Sequence, residues 1–406
     1  MPLGIYISVP FCKSKCSYCN FATGVVSKAA YATYVDRVCR DVADAEATVQ
    51  SVGGKFERQV DSIFLGGGTP TILEPADLER VFGALRENFD VLPDAEITVE
   101  CAPGTLAPPM LEVLLRCGVN RVSLGVQSWV DSEAAAVGRL HTRVRVLEDL
   151  AALRSAGIVD INVDLIAGLP HQNPESWRYS IGETIASGVP HASVYMLEVD
   201  EDSRLGRELI AGGTKYHAHF VPEEDLSVGF YTEAIHRLDV AGIPQYEISN
   251  FARPGHESRH NLKYWQRRPY LGFGVDAHSM LPAPGPSAAA VRFATADDTK
   301  SWLAGAPLEV HQVLSAAALE EALFLGLRLT RGVVLQDLVT EFGSGVTSEV
   351  TPIVDDLVSC ELLERCLDGA RDNIRLTARG RLLSNEVFAR FLDLGVPAVT
   401  ELSSIR

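Results

Sequence analysis

Three cysteines crowd into eight residues near the start of the chain, in FCKSKCSYCNF: Cys12, Cys16 and Cys19, spaced C-x3-C-x2-C. Thiolates are soft ligands that suit iron–sulfur clusters and zinc. Three of them can hold three corners of a 4Fe–4S cube and leave the fourth iron open to a chelating ligand. A structural zinc would ask for a fourth nearby Cys or His. The next cysteine, Cys39, falls in a stretch of helical spacing, and Cys101, Cys117, Cys360 and Cys366 are scattered. This distribution reads as metal binding, not as a disulfide framework.

Other residues could serve a ligand at such an iron. Gly66-Gly67-Gly68-Thr69-Pro70 follows the second strand-like run, where absent side chains let backbone groups approach a ligand. Alone, the segment also reads as a tight turn between strand and helix. Glu100, Gln127 and Asp164 end or nearly end the third, fourth and fifth runs. Carboxylates buried there are costly unless paired or ligand-bound, although strand-end acids are often simply solvated. Arg139, in GRLHT, has the chemistry to pair with a ligand carboxylate or to sit in solvent. Far down the chain, His260-Asn261-Leu262-Lys263-Tyr264-Trp265 sets an iron-ligating imidazole beside two flat rings. The alternative is that His260 and Trp265 anchor an interdomain loop. His256 and His278 are lesser candidates.

Such residues need elements to position them. Short β-branched runs at 5–11, 62–65, 96–100, 121–127, 160–166 and 192–198 alternate with apolar residues at helical spacing over 31–49, 78–89, 110–115 and 147–153. This alternation predicts a parallel α/β architecture. A partial (β/α)6 TIM-like barrel gathers active residues at the strand C-termini, and a doubly wound open sheet competes with it. Glycines 118, 157 and 188 read as helix C-caps. Residues 246–310 read as a loop-rich connection, with 281–290 a Pro/Ala/Gly-rich surface loop. Residues 311–406 read as an α+β, winged-helix-like domain with a strand–turn–strand near 364–376, leaving 1–245 as the barrel.

Lys+Arg 36 against Asp+Glu 53 gives a net charge of −17. Residues 320–406 alone hold 9 basic and 14 acidic side chains, so nucleic acid is not an expected partner. No apolar run approaches the roughly 20 residues that span a bilayer. The start of the chain lacks a secretory pattern, which makes the cytoplasm the expected location.

The cysteine segment resembles the radical S-adenosylmethionine superfamily, whose motif is C-x3-C-x-aromatic-C, with Tyr18 in the aromatic place. That resemblance implies a 4Fe–4S cluster and S-adenosylmethionine. It narrows to the oxygen-independent coproporphyrinogen III oxidase-like branch over nearly the whole chain. There, Tyr6, Tyr18, Gly67, Gly68, Thr69, Glu100, Gln127, Arg139 and Asp164 match cofactor-binding positions in order and spacing. The oxidases of the branch continue to a fourth cysteine where this chain has Phe21, and they carry an N-terminal extension before the residue matching Tyr6. Conversely, HNLKYW resembles the HNxxYW motif of the branch's HemW-type haem chaperones, as do YLGFGVDAHS, EEALFLGLRLTRGV and LTARGRLLSNEVF. The resemblance implies haem as a third ligand, with His260, Tyr264 and Trp265 as its residues. It also implies delivery to a haem-accepting respiratory protein, with room for transient contact with a membrane protein and for a homodimer. The other readings are coproporphyrinogen decarboxylation or another radical reaction on a tetrapyrrole. The chain departs from the branch at Ser8, where His is usual, and at Val275-Asp276, where small residues are frequent.

Overall fold

A computed structural model of the chain describes residues 1–284, 288–368, 371–392 and 394. Six neighbouring parallel strands form its centre: β1 (Leu3–Val9), β2 (Gln59–Gly67), β3 (Asp90–Cys101), β4 (Arg121–Gln127), β5 (Asp160–Ala167) and β6 (His191–Met196). They are the six expected runs: β4 has the expected bounds and the other five are lengthened or shifted by a few residues. The intervening helices bury one apolar stripe each. Pro75–Asn88, for example, covers Leu78, Val81, Phe82 and Leu85, the spacing of one helix face. The helix Pro174–Ala186 begins with reciprocal capping by Asn173 and Ser176. Gly118, Gly157 and Gly188 adopt φ of +73°, +87° and +70°, the left-handed turn that ends a helix and returns the chain to the sheet.

The sheet does not close. On its far side β1 pairs in parallel with β8 (Tyr270–Gly274), and β6 pairs antiparallel with β7 (Asn250–Ala252). With β9 (His278–Pro282), β10 (Ala290–Ala294) and β11 (Glu309–Val313), the 11-stranded order is β11-β10-β9-β8-β1-β2-β3-β4-β5-β6-β7. The stretch 246–310, expected to be a loop-rich connection, therefore supplies strands to this sheet. Residues 281–282 and 290 of the expected Pro/Ala/Gly-rich loop are strand, and 285–287 lie outside the described residues.

Contacts divide the chain into two compact units: Met1–Lys263 with Arg268–Pro284 and Val291–His311, and Tyr264–Arg267 with Gly285–Ala290 and Gln312–Arg406. Among its described residues the second unit holds helices Ser315–Gly326, Leu335–Phe342 and Gly345–Ser359. It also holds a three-stranded sheet ordered β12 (Val333–Val334), β14 (Arg371–Leu376), β13 (Leu363–Asp368). This is the winged-helix-like arrangement expected, with Leu323, Leu338, Val354 and Ile374 buried in its core. No helix among the described residues is long and apolar enough to cross a membrane.

Candidate functional site

Side chains alternate across a strand, so one face of the six-stranded array is lined by every second residue. Register fixes which residues share a level. Tyr6 lies beside Phe64, Phe64 beside Thr98, and Thr98 beside Arg121; Glu100 lies beside Ser123, Ser123 beside Asn162, and Asn162 beside His191. This inner face is largely polar, unlike the packed apolar interior of a closed barrel. The signal was in the sequence: RVSLGVQ carries a polar or small residue at every second position, and Asp160, Asn162, Asp164, His191 and Ser193 keep the alternation in DINVDLIA and HASVYM. Reading strand ends alone missed Ser123, Asn162, His191 and Ser193.

These four form the scaffold of Asp164. Ser123 Oγ donates to Asp164 Oδ2 at 3.1 Å and Asn162 Nδ2 donates to Oδ1 at 2.7 Å. Asn162 is itself held by Ser193 Oγ at 2.9 Å and by His191 Nδ1 at 2.6 Å. Burial raises the Asp164 carboxyl above its ordinary range, against the pull of these donors. Glu100, on the neighbouring strand, accepts from the amide of Gly67 at 3.2 Å. Its carboxyl is pushed up to about 8, first by burial and then by the charge of Asp164.

The glycine run curls against the end of β1. Gly68 N donates to Val9 O at 2.8 Å and Thr69 N to Phe11 O at 2.7 Å. A side chain on Gly68 would strike the carbonyls of Phe11 and Val9, and one on Gly66 would lie 2.9 Å from the Glu100 carboxyl carbon. Gly67 adds a φ of +96°. The run is therefore confined to glycine by close approach as well as by conformation.

The cysteine loop leaves β1 at the same edge. Cys12 N donates to Gly24 O at 3.0 Å, and Lys15 Nζ reaches the carbonyls of Phe21 and Thr23 at 3.3 and 3.2 Å. Ser14 Oγ donates to Gly138 O at 2.9 Å and Ser17 N to Val137 O at 3.1 Å, tying the loop to the segment after β4. Tyr18 packs on the small apolar cluster of Val137, Ile166 and Leu169, so the aromatic place anchors the loop. The Cys12 thiol lies within electrostatic reach of Cys16 and Cys19. No three His, Cys, Asp or Glu side chains among the described residues are grouped as a single bound ion would require. Three thiols at this spacing on one loop suit a cube of four irons with one corner free.

Arg139 and Gln127 complete the rim. Arg139 Nη2 donates to Gly125 O at 2.6 Å while Nη1 lies 3.8 Å from Cys16 Sγ, and its Nε is buried without a partner. Gln127 follows a register shift after Gly125 and takes a φ of 68°, uncommon for a residue with a side chain. Its Oε1 is also buried without a partner. Orphaned polar atoms and a strained backbone in one pocket are what a polar ligand would relieve. The donors fit S-adenosylmethionine, which offers an ammonium, a carboxylate and a sulfonium.

The haem candidates lie elsewhere. His260 is 1% exposed, at the opposite end of the strands from the cysteines. Its ring nitrogen Nδ1 lies 3.0 Å from Ser62 Oγ, and its ring stands beside Phe64 and Tyr6. Glu96 Oε1 accepts from His260 N at 2.9 Å and Oε2 from Arg259 N at 2.8 Å, capping the short helix Arg259–Trp265. Lys263 pairs with Asp61 at 2.6 Å. Burial lowers the imidazole to about 3, so it is neutral. Tyr264 and Trp265 belong to the second unit, where the Arg328 guanidinium stands 4.2 Å from the Trp265 ring centre. As folded, His260 is a plug packed against β1 and β2 through Tyr6, Ser62 and Phe64. His260→Ala is expected to destabilise the protein by about 2–4 kcal/mol at pH 7, from a cavity and a stranded hydroxyl. Because the folded-state value is depressed, the stability His260 gives wild type is complete above about 6.5 and is lost as pH falls toward about 3. Denaturant melts at pH 7 and pH 4 check both statements, and an unchanged midpoint at pH 7 would refute the plug.

Known proteins resemble the chain in sequence and in fold. Residues 6–181 match the model of the radical SAM superfamily, and residues 315–383 match that of the HemN C-terminal domain. The haem chaperone HemW of Synechocystis sp. is 35% identical over 340 residues, covering 82% of this chain and 79% of that protein. The Lactococcus lactis haem chaperone HemW is 30% identical, covering 96% of this chain and 97% of that one. The structure of coproporphyrinogen III oxidase (HemN) from Escherichia coli, a radical SAM enzyme, superposes with a TM-score of 0.80 at 23% identity, covering 96% of this chain and 90% of that one; it speaks for the fold alone. The superfamily implies a 4Fe–4S cluster and S-adenosylmethionine, and by end-to-end similarity the chain belongs to the HemW family of radical SAM proteins.

Proposed function

We propose that the chain is a haem chaperone that binds haem, a 4Fe–4S cluster and S-adenosylmethionine, and passes haem to an acceptor protein. The observation that carries this reading is the near full-length match to relatives that bear that name. Phe21 supports it: where the related oxidases continue to a fourth cysteine, this chain presents a phenylalanine 64% exposed to solvent.

In this reading Cys12, Cys16 and Cys19 hold the cluster. Gly67, Gly68 and Thr69 receive the amino end of S-adenosylmethionine, with Glu100 behind them, and Arg139 takes its carboxylate. Gln127 and Asp164 supply the remaining polar partners, while Tyr6 and Tyr18 line the pocket. The cluster, when bound, supplies one electron at low potential. A respiratory haem protein is the acceptor, reached from the cytoplasm by transient contact where it is membrane-bound, and the chain pairs as a homodimer. HNLKYW contributes to haem binding only if His260 leaves its packing against β1 and β2.

The test is anaerobic reconstitution, a haem titration followed at the Soret band, and an assay with coproporphyrinogen III. The expected result is stoichiometric haem binding with no decarboxylated product. Protoporphyrinogen formation at enzymatic rates would overturn the chaperone reading.

A further inference from the structure

Two histidines meet at the rim that carries the cysteine loop. His171 stands four residues after the end of β5, on a loop leaving the same edge of the parallel sheet as the cysteines. His217 lies in the segment after the helix Arg204–Ala211. His171 Nε2 and His217 Nδ1 are 3.1 Å apart. Both residues adopt the left-handed backbone, with φ of 70° and 62°. Side-chain-bearing residues seldom do so, and such outliers gather at ligand sites.

The surrounding contacts hold this pair in place. Glu208, buried on that helix, accepts from Tyr216 N at 2.8 Å and Ala218 N at 3.1 Å, gripping the chain on either side of His217. The same helix is tied to the cysteine loop by Leu205 N donating to Ser17 O at 2.8 Å and Arg204 Nη1 to Lys15 O at 3.0 Å. On the other side His171 N donates to Phe220 O at 2.9 Å, and the Phe220 ring stacks on the His171 ring at 4.2 Å. Phe220 is itself 57% exposed, a flat apolar surface beside the two imidazoles.

We propose that His217 Nε2 is an axial ligand for haem iron, with His171 as its positioning residue; the inference rests on the haem reading above and gives it a site. In this assignment His217 Nδ1–H donates to His171 Nε2 across the 3.1 Å contact, the tautomer that leaves His217 Nε2 with a free lone pair, the usual arrangement of a metal-bound histidine. The occupant follows from ligand count. A bare divalent ion asks for three or four protein ligands, and no such group exists among the described residues. Haem brings four nitrogens of its own and needs only an axial donor and an apolar surface. His260, the histidine singled out by motif, is enclosed against β1 and β2, whereas this pair is exposed.

The test uses the full chain with its cluster assembled, titrated anaerobically with haem and then read by Soret absorption and by the ferric electron paramagnetic resonance signal of an iron with one imidazole ligand. His217→Ala is expected to lower haem affinity by about 100-fold and to erase the imidazole-ligated signal. In His217→Gly, free imidazole restores that signal. His171→Ala, which removes orientation only, loses about tenfold. Unchanged cluster absorption in each variant reports an intact fold. Wild-type binding that survives His217→Ala with the same spectrum overturns this assignment and leaves the chaperone reading standing, whereas wild-type chain that binds no haem overturns both. Binding of Ni2+ that depends on His217, with haem binding indifferent to it, makes the pair a simple metal site and also overturns the assignment.

Discussion

Cys16→Ala is expected to yield a chain that assembles no 4Fe–4S cluster, while Cys39→Ala assembles it at the wild-type level. Cys16 is the buried member of the trio and faces the Arg139 guanidinium, and its neighbours Ser17 and Tyr18 are pinned by Val137 and the apolar cluster beneath. Its position is set on both sides, so no other thiol can swing into its place. With two thiolates left, two irons lack a protein ligand and the cube has no stable seat. Cys39 sits on the helix Ala29–Ala43, its Sγ 3.8 Å from the carbonyl of Arg80 on the helix Pro75–Asn88, and its loss removes only a small packing contact. Iron and acid-labile sulfide content after anaerobic reconstitution, together with the charge-transfer absorption, separates the two. Iron retained by Cys16→Ala and lost by Cys39→Ala would show that the ligands were misassigned.

The cysteine spacing, the glycine run and the strand-end residues were legible because each is local: a thiol triplet within eight residues, or a polar side chain where a β-branched run stops. The six central strands were legible for the same reason, since short β-branched runs alternate with stretches of helical spacing. Strands β8 to β10 were not. Each is five residues long, YLGFG carries two glycines, and pairing with distant β1 decides its state; a side chain on Gly274 would collide with the Ser8 carbonyl. Long-range pairing overrides weak local preference. The placement of Gln127 depends on a register shift after Gly125, and no periodicity reveals a shift of one residue. HNLKYW shows the converse failure. Its residue types are those of a haem site, yet His260 faces Ser62 across 198 residues of chain and Glu96 caps its helix. The types were visible and the direction in which they point was not. His171 and His217 were passed over because each stands alone in its own loop and only the fold makes them a pair.

Glu100→Gln is expected to raise the thermal midpoint of the ligand-free protein at pH 9, leave it unchanged at pH 4, and weaken S-adenosylmethionine binding by about 100-fold at pH 8. Burial and the charge of Asp164 lift the Glu100 carboxyl from its ordinary 4.5 to about 8, so the folded chain holds a proton that the unfolded chain releases. Stability from this group is therefore greatest below about 4.5 and is lost as pH rises through about 8. Gln is neutral throughout and keeps an oxygen for the Gly67 amide, which now donates at 3.2 Å. Glu100 is only partly buried, so solvent screens part of the effect, and a gain of roughly 3–6 °C is the scale to look for at pH 9. Binding runs the other way. S-adenosylmethionine carries a net positive charge, and two ionised carboxylates, Glu100 and Asp164, against the single Arg139 leave the pocket with the complementary negative one. Ligand affinity should then rise with pH toward about 8 as Glu100 ionises, and binding at pH 7 should release a proton that calorimetry in two buffers of different ionisation enthalpy detects. The Gln variant should show neither the pH dependence nor the proton. Thermal melts at pH 4 and 9 and calorimetric titrations at pH 6, 7 and 8 decide it. A variant that binds S-adenosylmethionine as wild type does would remove Glu100 from the site, whereas one that binds weakly without gaining stability would leave Glu100 in the site but refute its role as a buried carboxyl kept protonated until ligand arrives.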